Sequence, residues 1–323
     1  MLDFKESVLM VDWTPTATLS ALFARDQLYK DIRRFFARRN YLEVETPILG
    51  IGGTTDPHIQ SFRTEFQDTQ YYLQTSPEFF MKRLLAAGSG PIFALTKAFR
   101  QEEVGRFHNP EFTLLEWYMP GFDDHRLMEE VGEFLVGMLG LSCSFISYRE
   151  IFQKVLGVDP HLAGLVDLKS LAKKHLDCDW QDEDRNTWLD ALFSHVIQPG
   201  LTDGIIFVFD YPASQAALAK ITTAENGIKV ARRFEVFVNG VELANGYWEL
   251  TDAKEQEQRF HNDQQKRKEL GLAEINSDDQ LIQALASGLP DCAGVALGVD
   301  RLLMLKTNSP HIKDVLSFPV TRL

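Results

Sequence analysis

Arg100 and Glu102 stand two positions apart in FRQEEVGRFHNPEFTLLEWY, residues 99–118, and residues two apart on a strand share a face. The neighbouring runs IFALTKAF and FTLLEWY are too apolar for an exposed ribbon, so these charges project from a mostly buried sheet. An unpaired charge is costly there, which makes a ligand a natural partner. The planar donors of arginine suit phosphate, and an aromatic face such as that of Phe112 suits a purine. Arg106, His108 and Asn109 occupy the loop between the strands. Considered alone, such a loop also reads as an ordinary charged surface hairpin; its apolar flanks count against that.

A second constellation is VELANGYWEL, where Glu242 and Glu249 flank Asn245 and Gly246. Strand alternation puts residues seven apart on opposite faces unless a bulge intervenes, and Gly246 is placed to supply one. With a bulge, both carboxylates can share a magnesium ion bound to phosphates; without it, they are two solvent-facing acids. In TSPE, Glu78 falls in the first turn of a helix, where a carboxylate also suits the dipole with no further role. In GVALGVDR, residues 294–301, Gly294, Ala296 and Gly298 leave one strand face nearly bare, which marks a close approach by a ligand or backbone. Arg301 then opens a helix whose positive end disfavours a cation. Either an anion such as a terminal phosphate compensates it, or Asp300 or another acid pairs with it. Neither GxxxxGK[ST] nor GxGxxG occurs, so Walker-type and Rossmann nucleotide sites are not supported.

The elements that must position these residues come from a chain of 323 residues, 45% hydrophobic and 24% charged, which suffices for a large core. The net charge of -13 counts against extended contact with a nucleic-acid backbone. Cys143, Cys178 and Cys292 are too scattered for a disulfide framework or a cysteine zinc site, and suit a reducing cytoplasm. The acidic N-terminus does not resemble a signal peptide, and no apolar run approaches the ~18 residues of a membrane span. A cytoplasmic protein with no membrane association is expected.

Periodicity predicts a helix over 20–39 with Leu28, Ile32, Phe35 and Phe36 on one face, then a short strand halted by Pro47. A strand near 70–74 precedes a helix for which Ser76 is the expected cap, Pro77 the first position and Gly88 the stop. Two strands span 92–118, a helix follows over 125–139, and 165–198 reads as a peripheral, acidic, helical insertion. IIFVF at 205–209 is a buried strand ending before Tyr211. FEVFV-NG-VELANG is a hairpin turning at Asn239-Gly240. A polar helix covers 251–270, and Ser277 with Gln280 forms the expected capping box of the next. The sum is an α+β fold, an antiparallel sheet flanked by helices.

Together these segments resemble the three motifs of class II aminoacyl-tRNA synthetases, most closely the lysyl-tRNA synthetase catalytic domain. The helix and strand ending at Pro47 resemble motif 1, which implies a homodimer. FRQEE…RFHNPEFTLLEWY resembles motif 2 and GVALGVDR motif 3, with TSPE, YPAS and the 234–260 segment also matching. The likeness divides the chain into an extension, 1–19, and a catalytic domain, 20–323, with its helical insertion around 160–200. The N-terminal anticodon-binding barrel of bacterial lysyl-tRNA synthetases has no counterpart, which with the acidic charge makes tRNA an unexpected acceptor. The chain is similar to a truncated paralogue family that joins (R)-β-lysine to a lysine of elongation factor P.

The resemblance implies ATP and Mg2+ at the site. Arg100 is expected on the α-phosphate, Glu102 at the adenine or the amino acid, and His108 and Arg301 on the outer phosphates with Asn109 nearby. Arg100, Glu102 and Arg301 would be the catalytic set. Phe112 would stack on adenine, with Gln101, Leu243 and Gly298 also at the nucleotide; Gln101 departs from the family's usual asparagine. Glu242 and Glu249 are expected around the metal, Glu249 also near the amino acid. Ser76, Pro77, Glu78, Tyr118 and Asn245 would line the amino-acid pocket with Ala296, where lysyl-tRNA synthetases usually carry glycine. A truncated lysyl-tRNA synthetase and a catalytically silent partner-binding protein are the alternatives, and retention of the charged set counts against the latter. Lys82, Arg83 and Lys97 are candidates for docking the partner, or solvated surface charge.

Overall fold

The computed structural model describes residues 13–101, 104–177, 180–224 and 227–323. Its strands are β1 (Leu42–Glu43), β2 (Leu49–Gly50), β3 (Arg63–Phe66), β4 (Thr69–Leu73), β5 (Ile92–Phe99), β6 (Glu111–Pro120), β7 (Cys143–Ser147), β8 (Ile205–Pro212), β9 (Ile221–Thr223), β10 (Lys229–Val238), β11 (Val241–Trp248) and β12 (Cys292–Gly298). The helices are α1 (Leu19–Ala37), α2 (Glu78–Ala86), α3 (Asp124–Leu139), α4 (Tyr148–Leu156), α5 (Leu165–His175), α6 (Arg185–Leu192), α7 (Ala253–Glu269), α8 (Asp279–Gly288) and α9 (Val299–Thr307). The main sheet runs β1-β5-β6-β12-β11-β10-β8-β7, with β9 beside β10. Its centre is antiparallel as expected, while β1 and β7 join the two ends in parallel. A small sheet, β2-β4-β3, stands apart.

Alternation along the strands assigns the two faces different work. Leu115, Trp117, Val295, Leu297, Phe234 and Val236 point into a core with Leu28, Ile32 and Phe36 of α1 and the apolar stripes of α3 and α9. On the opposite face, α2, α7 and α8 pack over one end around Met81, Phe260 and Leu281. The helices α4 and α6 cover the β8 end around Phe152, Trp188 and Val208. A cavity of about 750 Å³ lies between those two coverings.

Several local expectations shift. The helix after TSPE begins at Glu78 with Pro77 in the cap position, so Ser76 is not its cap. Asp278, not Ser277, caps α8, its carboxylate accepting from Leu281 N at 2.9 Å. Strand β8 continues through Tyr211 to Pro212. The 165–198 region is helical but not peripheral, since Asn186 and Asp190 of α6 reach the cavity wall. The β10–β11 turn is as predicted, with Asn239 and Gly240 at φ 52° and 74°. Within the expected N-terminal extension, Thr16 is tied to the C-terminal segment, its N donating to Ser317 O at 3.0 Å and its hydroxyl to Leu316 O at 2.8 Å.

Candidate active site

Cross-strand register sets residues in rows across the sheet beneath the cavity, and of these Ala296, Asn245, Tyr247 and Arg233 border it. Glu116 pairs with Ala296, Ala296 with Asn245 and Asn245 with Glu235. One step along, Tyr118 pairs with Gly294, Gly294 with Tyr247 and Tyr247 with Arg233. Glu242 would be out of phase with Asn245 on a regular strand. A bulge corrects this, but it lies at Leu243, where Val236 pairs with Ala244 and Phe237 with Glu242. Gly246 does not supply it; a Cβ there would stand 2.3 Å from the Phe234 ring, so its glycine serves packing.

The bare face of β12 has two different neighbours. At Gly294 a Cβ would meet the Tyr118 ring at 2.1 Å and Glu249 Oε1 at 2.8 Å, so protein fills that space. Ala296 and Gly298 border the open cavity. Leu243 is buried and meets the cavity through its backbone, its carbonyl 3.8 Å from where a Gly298 Cβ would sit.

One half of the cavity presents cations and an aromatic ring. Arg100 lies over Phe112 at 5.3 Å from the ring centre. Arg301 does not pair with Asp300. Its guanidinium donates to Glu242 O at 2.6 Å and Phe107 O at 3.3 Å, and meets His108 Nε2 at 2.7 Å. Arginine offers no acceptor, so that last bond needs His108 with an unprotonated Nε2. Asp300 pairs instead with Arg25 of α1 at 2.6 Å and accepts from Thr113 N at 2.7 Å. Asn109 borders the cavity while its amide bonds Glu111 O and Val320 N, fixing the loop. Gln101 is exposed and its backbone N donates to Gln60 O at 2.9 Å. Glu102 lies outside the described residues.

The other half is acidic. Ser76, Glu78 and Asn245 border it. Lys82 is not a surface docking residue: it is 1% exposed and bridges Glu78 and Glu249, each at 2.6 Å. Burial opposes its charge, yet the Glu249 and Glu78 carboxylates together hold the ammonium well above its ordinary pKa. Glu249 is itself 1% exposed, and burial outweighs that single ammonium, pushing its carboxyl up to about 8. Glu249 therefore stands behind the wall rather than beside Glu242 on it; among the described residues no cluster of three metal-ligating side chains occurs. Tyr118, buried, donates to Glu116 Oε1 at 2.7 Å.

Glu116 escaped the sequence reading. It is 1% exposed, its Oε2 is buried without a hydrogen-bond partner, and burial together with Glu78 lifts its carboxyl well above the usual range. The signal was present: a carboxylate inside the apolar strand TLLEWY, in phase with Phe112 and Tyr118. Arg233 was also missed. It borders the cavity, pairs with Glu235 and donates to Gln215 O at 3.0 Å, tying the 213–215 turn to the sheet.

This arrangement of an antiparallel sheet, a phosphate-suited arginine pair and an acidic pocket is accompanied by a family match. The family model described as tRNA synthetases class II (D, K and N) matches residues 3–322, and the chain belongs to that family. Curated relatives carry the name elongation factor P–(R)-β-lysine ligase. The Vibrio cholerae protein is 51% identical over 323 residues, the Salmonella paratyphi B protein 47% over 321, and the Hamiltonella defensa protein 46% over 321. Each alignment covers 96% of this chain and 98% of the relative.

Proposed function

We propose that this chain is an ATP-dependent ligase that activates (R)-β-lysine as an acyl-adenylate and transfers the acyl group to a lysine ε-amine of elongation factor P. The observation that carries the reading is the meeting, on one sheet face, of Arg100 and Arg301 with the buried acids around Glu78 and Glu116. The first group suits triphosphate and the second suits ammonium. The shared name of the relatives at 46–51% identity supports the choice of substrate and acceptor.

In the first step a carboxylate oxygen of β-lysine attacks the α-phosphorus, the bond to the bridging oxygen breaks, and pyrophosphate leaves. Arg100 meets the charge that builds on the α-phosphate, and Arg301 with His108 holds the outer phosphates in a bent nucleotide. Phe112 stacks on adenine beneath the Arg100 guanidinium. Glu78 and Asn245 read the ammonium groups from the wall, with buried Glu116 and Tyr118 adding negative charge and polarity behind them and Glu249 steadying Glu78 through Lys82. In the second step the incoming lysine amine attacks the acyl carbon, AMP leaves, and the amine loses a proton as the amide forms. Catalysis is positioning and charge stabilisation, with no covalent enzyme intermediate.

Magnesium fits as an ion carried in with the nucleotide: Glu242 offers one carboxylate at the wall, and magnesium commonly takes one or two carboxylates plus phosphate oxygens. It would supply charge neutralisation on the phosphates. A homodimer through α1 and a cytoplasmic location complete the reading, supported by the motif 1 resemblance and by the wide scatter of the three cysteines along the sequence. The direct test of activation is pyrophosphate exchange into ATP. Exchange stimulated by (R)-β-lysine is expected; its absence with every lysine isomer sinks the proposal.

A further inference from the structure

Arg267, in the last turn of α7, is a buried guanidinium with 1% exposure. Among the described residues its hydrogen bonds go to neutral acceptors rather than to a carboxylate. Nη1 donates to Asp56 O at 2.9 Å, Nη2 to Gln60 Oε1 at 2.8 Å and Nε to Ala273 O at 3.2 Å. Asp56 and Asp263 act on it only through space, so a fork satisfied on three sides by neutral oxygens points to a position where geometry matters. One turn earlier on the same helix face, Asp263 accepts from Thr55 Oγ1 at 2.9 Å. Both attachments hold the 54–61 segment, most of which walls the cavity.

That segment is joined in turn to the catalytic strand. Gln60 accepts Arg267 at its side-chain oxygen, donates through Nε2 to Pro57 O at 3.2 Å, and accepts Gln101 N at its main-chain oxygen at 2.9 Å. Gln101 directly follows Arg100, whose own N donates to Pro110 O at 2.9 Å. The backbone around Arg100 is thus held from Pro110, just ahead of β6, on one side and from Gln60 on the other. We propose that Arg267 is a positioning residue for the activation step, fixing through Gln60 the backbone that aims Arg100 at the α-phosphate. The catalytic part of this inference rests on the ligase reading above.

The test uses Gln60→Leu, Arg267→Met, the double variant and Gln60→Glu in the full chain, each with two readouts. By hydrogen exchange, Gln60→Leu and Arg267→Met should both deprotect residues 54–61 and the amide of Gln101. In β-lysine-dependent pyrophosphate exchange, each should lower kcat by about tenfold, since a misplacement of ~1 Å can cost about 100-fold. KM for β-lysine should stay within about twofold, because the lost interaction belongs to the transition state. The double variant should be no worse than the worse single, as expected for one chain of contacts. Gln60→Glu, which keeps an acceptor for Arg267, should retain most activity. Gln60→Leu leaves two of the three Arg267 bonds intact and so covers the case in which Arg267→Met does not fold. Unchanged exchange in a folded Gln60→Leu protein overturns the inference. So do additive losses, or deprotection confined to residues 272–276. If the wild-type chain shows no exchange with β-lysine, the ligase reading fails instead, and the protection of Gln101 still decides whether Arg267 and Gln60 hold it.

Discussion

Glu116 presents one carboxylate oxygen to Tyr118 and leaves the other buried without a partner. Burial first, and Glu78 second, favour its protonated form in the free protein. An ammonium bound at the wall beside it favours the charged form, so binding is expected to draw protons off this buried group. Calorimetry of β-lysine binding in buffers of different ionisation enthalpy should therefore show net proton release, largely lost in Glu116→Gln; proton uptake would contradict the assignment. For Arg100, the Arg100→Ala protein should activate β-lysine on the order of 100-fold more slowly or worse. Near-wild-type pyrophosphate exchange in that variant would reject its role. Ala296 stands between Glu116 and Asn245 on the cavity floor, so its methyl group is placed to choose among isomers. Ala296→Gly should improve α-lysine relative to β-lysine by roughly 10- to 200-fold, the range for one methyl in a pocket. An unmoved ratio of kcat/KM values would place selectivity elsewhere.

At the scale of elements, much was legible because local chemistry decided it. Asn239-Gly240 specifies a tight turn through two positive φ values, and the apolar spacing of α1 marks Leu28, Ile32 and Phe36. Features decided by tertiary contact were not legible. A bulge belonged somewhere between Glu242 and Glu249, but glycine pointed to position 246, whereas Phe234 occupies that space and the bulge lies at Leu243. Lys82 looked like surface charge because one helix turn cannot show that Glu249 closes over it from a distant strand. These glycines separate folding from binding. Gly246→Ala should lose about 1–3 kcal/mol of stability from overpacking. A Cβ at Gly298 meets nothing nearer than 3.7 Å, so Gly298→Ala should unfold like wild type while weakening ATP binding. Denaturant midpoints and nucleotide titrations check both; equal destabilisation of the two would contradict this division of the face.

The whole molecule places its apolar core on one side of the sheet and divides the other between two helical coverings, with the cavity between them. That division was only half visible in the sequence. Patterning marks the main strands and the resemblance names candidate phosphate-binding residues, but 165–198 reads as peripheral because the contacts of α6 with the cavity come through long-range packing on β8. No described helix is long and apolar enough to cross a membrane. A net charge of -13 counts against extended contact with a nucleic-acid backbone, in keeping with the proposed protein amine as acceptor. The central claim is therefore transfer to protein. Labelled (R)-β-lysine, ATP and magnesium should be incubated with the chain and offered elongation factor P or tRNA in parallel, followed by peptide mapping. The account predicts label on one lysine of the factor, dependent on ATP and lost in Arg100→Ala. Label on tRNA alone, or ATP left unconsumed, would contradict it.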